Sequence, residues 1–310
     1  MDQPQDQVHP MTTSESAPPG APRAEAPRVK VRGAATTIRF PFVSMLVLGL
    51  VVLVAVFAPL IAPHDPEVGQ LSNKLIPPVW QEGGNSDFLL GTDTLGRDIF
   101  TRILYGARVS LMVAILATGL AGVLGTIVGL IAGFYRGWVE IVLMRITDMT
   151  LALPLMLMAI VLVALLGASL TNVLLVIVIL LWPYYARQIR GEALAISEED
   201  FIDLARVAGL SSPRILWTHI LPNVMPTSGV LATLQVALII LLEASLSFLG
   251  VGIPPPTPAW GLMVADGRDL LGRAWWVSFI PGIAIFGVVL AANLLGDWVR
   301  DRFDPKLRQL

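Results

Sequence analysis

The chain has 310 residues, of which 55% are hydrophobic and only 14% charged, with a mean hydropathy of +0.73; soluble domains carry about 25% charged residues, so this is the composition of a bilayer protein. The net charge of −2 decides little, because in a membrane protein the placement of basic residues matters more than their sum. With no cysteine, disulfides, thiolate metal sites and cysteine nucleophiles are excluded, and three scattered histidines, His9, His64 and His219, argue against a histidine metal cluster.

Residues 1–37 are rich in Pro, Gln, Ser, Thr and Ala and poor in bulky apolar side chains, so they are expected to form a disordered tail. The first apolar run follows Arg39, too far from Met1 for a secretory signal, and reads as a retained membrane anchor. A bilayer core of about 30 Å needs about 20 apolar residues in a helix. Six runs qualify: Val43 to Ala62, Val109 to Phe134, Ile141 to Leu166, Asn172 to Ala186, Val224 to Leu249 and Ser278 to Leu295. If the N-terminus is cytoplasmic, the inner segments hold 15 of the 21 basic residues. The positive-inside rule then places both termini and the loop from Arg187 to Asn223 in the cytoplasm.

Between the first two runs lies an outer loop of about 45 residues. Ile99, Phe100, Ile103, Leu104 and Ala107 recur at helical spacing among Arg97, Arg102 and Arg108, which predicts a short helix lying at the outer interface. In the second run Gly125, Gly129 and Gly133 form a smooth strip that lets another helix approach closely, either within the chain or at a subunit interface.

The stretch ISEEDFIDLARVAGLSSPRILWTHILPN, Ile196 to Asn223, is too charged to cross a bilayer. Ser197 followed by Asp200 resembles a capping box, and Glu198, Glu199 and Asp200 suit the positive end of a helix dipole. Phe201, Ala205 and Ala208 recur on one face beside Leu204, and Gly209 supplies a left-handed stop. Ser211 and Ser212 before Pro213 start a second helix. The pattern is helix, tight turn, helix: a packing element, or a compact knob that fits a groove on a soluble partner.

These residues resemble the membrane-spanning subunits of binding-protein-dependent ABC importers. That family's signature, a Glu-Ala-Ala triplet with a glycine four positions later and a Leu-Pro ending, falls on Asp203, Leu204 and Ala205, on Gly209, and on His219, Ile220, Leu221 and Pro222. Asp for Glu, Leu for Ala and His219 for an apolar residue depart from it, while the glycine register is kept. The stretches LGTDTLGRDIFTRILYGARVSL, EASLSFLGVGIPPPTPAWG, GRDLLGRAWWVSFIPGIAI and NLLGDWVRDRFDP look like the second permease subunit of the dipeptide/oligopeptide/nickel group, a similarity reaching from Ile38 to Pro305.

The resemblance implies an all-α polytopic fold of six transmembrane helices, the type I importer transmembrane domain. It divides the chain into the tail 1–37, a first helix and outer loop at 38–88, a permease core at 89–305 with a coupling helix at about 197–215, and a C-terminal tail at 306–310. It implies a multi-pass protein of the bacterial inner membrane that forms half of a path for dipeptides, oligopeptides or related solutes such as nickel chelates or glutathione. The implied partners are a sister permease subunit in a heterodimer, two ATP-binding subunits or domains, an extracytoplasmic substrate-binding protein and the lipid bilayer, with no nucleic acid. The coupling helix would dock on the ATPase through Glu199, Asp200, Phe201, Asp203, Leu204, Ala205, Arg206, Gly209, Leu210 and Ser211.

The chain is expected to have no catalytic residue and no cofactor of its own, with ATP and Mg bound by partner subunits, since it holds no phosphate-binding Gly-x-x-x-x-Gly-Lys loop and only Lys30, Lys74 and Lys306. No internal repeat or carboxylate relay suggests a secondary transporter. Three polar residues within the runs are candidates for the translocation path. Glu243 has no oppositely charged neighbour and either lines a cavity or sits in a buried hydrogen bond. Asp148 either lines the path or pairs with Arg145 three residues before it. Asn293 is a cavity or capping residue.

Overall fold

The computed structural model describes residues 41–303. The tails expected at 1–37 and 306–310 lie outside the described residues. Among the described residues there are ten α-helices and no β-strand. Five helices are long and apolar enough to cross a membrane, and a bent pair supplies the sixth candidate span.

Helix α1, Phe42–Ile61, is the first span, and a structured loop follows it. The second span differs from expectation. There is no separate interfacial helix; α2 runs unbroken from Ile99 to Tyr135, 37 residues. Asp98 starts it, accepting hydrogen bonds from the Phe100 and Thr101 amides at 3.3 and 3.0 Å and from the Thr101 hydroxyl at 2.6 Å. Of the three arginines that suggested an interfacial helix, Arg97 and Arg102 are buried and partnered, while Arg108 is exposed. Arg97 Nε donates to Asp93 at 2.7 Å, and Arg102 Nη1 donates to the Pro66 carbonyl at 2.9 Å. Their polarity is absorbed by the loop, so the helix has no need to lie flat.

Helix α3, Gly137–Leu151, and α4, Leu155–Leu166, occupy the third apolar run, but they meet at 90° instead of forming one rod. Pro154 causes the break: a residue before proline is disfavoured in the helical region, so the chain leaves the helix at Ala152 and Leu153. Helix α5, Leu170–Ile196, is longer at both ends than its apolar run, because Ser169 caps the Asn172 amide at 3.1 Å and the polar segment after Ala186 stays helical.

The glycine strip of α2 packs inside the chain, against α5. A Cβ on Gly129 would sit 2.7 Å from the Ala186 carbonyl oxygen, and one on Gly133 would sit 2.8 Å from the Arg190 carbonyl oxygen, so only glycine permits this approach. The seam orients everything below it.

Helices α6, Asp200–Val207, and α7, Ser212–Ile215, form the hairpin anticipated between the fourth and fifth spans. A short π-helical stretch, Leu216–Ile220, joins α7 to α8, Leu221–Phe248, so the whole run Ser212–Phe248 is one continuous 37-residue rod. Helix α9, Trp260–Gly267, and α10, Trp276–Phe303, complete the chain. At the end carrying the long loop, Trp260 Nε1 donates to the Ile103 carbonyl at 3.0 Å and Trp276 Nε1 to the Thr92 carbonyl at 3.2 Å, tying α9 and α10 to the loop and α2. Most buried apolar residues form one core through the bundle, and a second cluster, built on Leu130, Ile189, Ile202, Ile215 and Ile220, sits beneath α6.

Candidate functional site

The hairpin is built from its turn outward. Gly209 has φ of +83°, a conformation that costs other residues a steric penalty. The Leu210 amide bonds the Ala205 carbonyl at 3.1 Å and the Gly209 amide bonds the Arg206 carbonyl at 3.0 Å, the paired closure of a Schellman stop. The start of α6 departs from the capping box expected at Ser197. The Ser197 hydroxyl instead donates to the Ala193 carbonyl at 2.6 Å, closing α5, and α6 begins after Glu199 with no side-chain cap. Asp200 and Asp203 in its first turn and Arg206 in its last still complement the helix dipole.

The faces of α6 are also rotated from the sequence expectation. Ile202 and Ala205 are the inward residues, Ile202 fully buried against Ile189, Ile215 and Ile220. Ala205 therefore faces the bundle, and Leu210 is half-buried against the same cluster. Phe201 is 42% exposed, Leu204 69% and Val207 87%, a ridge of apolar side chains on the outer face. Val207 was not singled out in the sequence because the charges around it hide the ridge. Glu199, Asp200, Asp203, Arg206, Gly209 and Ser211 surround it, all exposed.

Several contacts hold the knob in place. Arg206 Nη1 donates to Asp203 at 2.9 Å, and its guanidinium lies 5.9 Å from the Phe134 ring centre. Arg136 pairs with Glu198 at 3.1 Å, and the Phe201 and His219 rings stack at 6.5 Å. Exposed pairs contribute little energy, so the Ile202–Ala205 anchor and the glycine stop fix the pose.

The candidates within the spans are not brought together. Glu243 is fully buried, accepting from the Ser110 hydroxyl at 3.1 Å and the Ser247 hydroxyl at 2.8 Å. Of its two readings the structure has the buried hydrogen bond, which knits α8 to α2; the expectation that it lines a cavity is corrected. Asp148 does not pair with Arg145, because Arg187 of α5 reaches it at 2.5 Å. That pair borders an open cavity of about 560 Å³ between α3 and α5, lined by neither Glu243 nor Asn293. Asn293 is exposed on α10.

A helical membrane bundle with a surface knob between its fourth and fifth spans defines the class: a polytopic transport permease. Residues 125–309 match the family model described as binding-protein-dependent transport system inner membrane component, and residues 39–78 match the N-terminal TM domain of oligopeptide transport permease C. The chain belongs to this family of ABC transporter permease subunits. It is 43% identical over 259 residues to the di/tripeptide transport system permease protein DppC of Pseudomonas aeruginosa, covering 84% of this chain and 86% of that one. It is 40% identical to the dipeptide transport system permease protein DppC of Haemophilus influenzae over 271 residues, 87% and 92% of the two chains. Identity to the Escherichia coli K12 protein of the same name is 43% over 260 residues, 84% and 87%.

Proposed function

We propose that the chain is one of two permease subunits in an ATP-driven importer of dipeptides, and that α6 transmits the ATPase cycle to the spans. The observation that carries this reading is the ridge of Phe201, Leu204 and Val207. Three apolar side chains held outward by a buried anchor on the opposite face make a rigid plug for a groove. The acidic residues around it, Glu198, Glu199, Asp200 and Asp203, call for a partner groove with an apolar floor and a basic rim.

The end of the bundle that carries α6 also carries Arg136, Arg187, Arg190, Arg206 and Arg214, which supports a cytoplasmic position for it and for both termini. Energy would come from partner subunits that bind ATP and Mg, because this sequence has no phosphate-binding loop. An external binding protein would deliver the solute at the opposite end. Dipeptides are favoured over nickel chelates or glutathione because the relatives named above are named for di- and tripeptides.

The test is co-expression with the sister permease and the ATPase subunits. Leu204→Asp combined with Val207→Asp places charge on the plug without touching Ile202 or Ala205. The expected result is loss of the ATPase from the purified complex and loss of labelled dipeptide uptake, with the permease pair intact on gel filtration. Full retention of the ATPase and of uptake would overturn the assignment.

A further inference from the structure

On α5 the residues that face α2 are Tyr185, Ala186 and Ile189, all buried. Tyr184, Arg187 and Gln188 lie on a different face and are exposed, with Gly191 continuing the strip one turn on. These polar groups sit toward the α6 end of the helix and are exposed, so the strip borders water or a polar solute at that mouth of the bundle. Two cavities lie along it and share Arg187. One, of about 560 Å³, holds the charged groups Glu140, Arg145, Asp148, Arg187 and Arg190. The other, of about 430 Å³, adds Tyr184, Gln188 and the Gln235 amide of α8. Both volumes fall in the range of about 300–1,000 Å³ usual for small-molecule sites.

The charges in the first cavity do not balance. Three guanidiniums meet two carboxylates: Arg190 holds Glu140, Arg187 holds Asp148 at 2.5 Å, and Arg145 has no ion-pair partner among the described residues. The Arg187–Asp148 pair is more than half exposed on both sides, so it is weak and exchangeable, while Glu140 is the better buried of the two carboxylates.

We propose that this strip is the path of the solute, and that it is built for a zwitterion. The terminal carboxylate of a dipeptide is taken by Arg145 and Arg187, and its ammonium by Asp148, the Arg187–Asp148 pair opening as the solute passes. Gln188 and Gln235, at the far side of Arg187, offer neutral donors and acceptors to the peptide bond. The surplus guanidinium makes the cavity favour a free carboxylate over a neutral end. This assignment rests on the dipeptide-import reading and adds the groups that conduct the solute.

The experiment uses the complete complex, with the sister permease, ATPases and binding protein, in proteoliposomes with labelled dialanine. Arg145→Gln should lower dialanine moved per ATP hydrolysed about tenfold, the loss of one charge-assisted contact to a carboxylate. Assembly and stimulation of ATP hydrolysis by the loaded binding protein should be kept, and Arg145→Lys should restore most of the transport. Because the chain has no cysteine, Gln188→Cys gives a clean second readout on this subunit. It should react with a charged, membrane-impermeant thiol reagent in the nucleotide-free complex. Unchanged transport in Arg145→Gln, separation of the two permeases by that substitution, or an unreactive Gln188→Cys would each overturn the proposal. A wild-type complex that hydrolyses ATP but moves no dialanine would instead overturn the dipeptide reading on which it rests.

Discussion

Replacing Gly129 with alanine tests the seam that organises the bundle. The new Cβ would lie 2.7 Å from the Ala186 carbonyl oxygen, 2.9 Å from the Ile189 Cβ and 3.0 Å from the Arg190 nitrogen. Contact between carbon atoms is comfortable at about 3.5–4.0 Å, so all three neighbours are too close, and two are backbone atoms that cannot rotate away. Overpacking of this kind costs about 1–3 kcal/mol. Against it stands the gain from removing a helical glycine, about 1 kcal/mol. The balance is a loss of up to about 2 kcal/mol. Gly119 on the same helix supplies the control: a Cβ there meets nothing within 4 Å, so Gly119→Ala keeps the gain and carries no clash. The assay is the thermal midpoint of the detergent-purified protein, read as loss of its monodisperse gel-filtration peak. The expected order is Gly119→Ala at or above wild type and Gly129→Ala below it. Equal shifts for the two variants would show that α2 and α5 do not meet at Gly129.

Four further outcomes follow from the same contacts. Glu243→Gln should keep the thermal midpoint near that of wild type, whereas Glu243→Leu strands the buried Ser110 and Ser247 hydroxyls and should cost about 1–3 kcal/mol; equal midpoints would refute the buried network. Asp98→Ala removes the cap from two amides and should destabilise by about 1–2 kcal/mol in denaturant titration. Gly209→Val forces a branched residue to φ of +83°, a strain of about 1–3 kcal/mol, and should weaken ATPase co-purification, while Gly209→Asn should be tolerated because the space around it is open. Burial holds the Asp266 carboxyl above the ordinary range, opposed by the nearby Arg97 and Arg102 guanidiniums. A raised carboxylate binds protons more tightly in the folded state, so the stability it contributes is present in acid and is lost as pH rises through the shifted value. Thermal melts should therefore show wild type losing stability relative to Asp266→Asn as pH rises from the ordinary aspartate range, with parallel curves above the shifted value.

The count of apolar runs and the knob between the fourth and fifth were legible because both depend on local pattern: run length, charge, and a glycine after an amphipathic turn. What depended on distant partners was not. Arg97 and Arg102 looked interfacial because Asp93, Pro66 and Asp266, which satisfy them, come from the loop and from α9. Asp148 was matched to its neighbour Arg145, yet its partner Arg187 is on another helix, and no sequence spacing marks such a pair. Pro154 was visible in the third run, but hydropathy reports how apolar a segment is and carries no direction, so the 90° turn was missed. Ser197 and Phe201 failed for a related reason. A serine can close one helix as readily as open the next, and Ile202, one position from Phe201, wins the inward place because it meets Ile189, Ile215 and Ile220.

The unbroken run from Ser212 to Phe248 begins beside the knob and ends at the far side of the bundle. Thirty-seven residues at 1.5 Å each make a strut of about 55 Å. Pivoted near one end, such a strut turns a tilt of about 5° into a swing of about 5 Å at its tip, comparable to one helical turn. If a partner displaced α6 as proposed above, the π-helical stretch Leu216–Ile220 beside the knob would be the point at which the tilt of this strut is set.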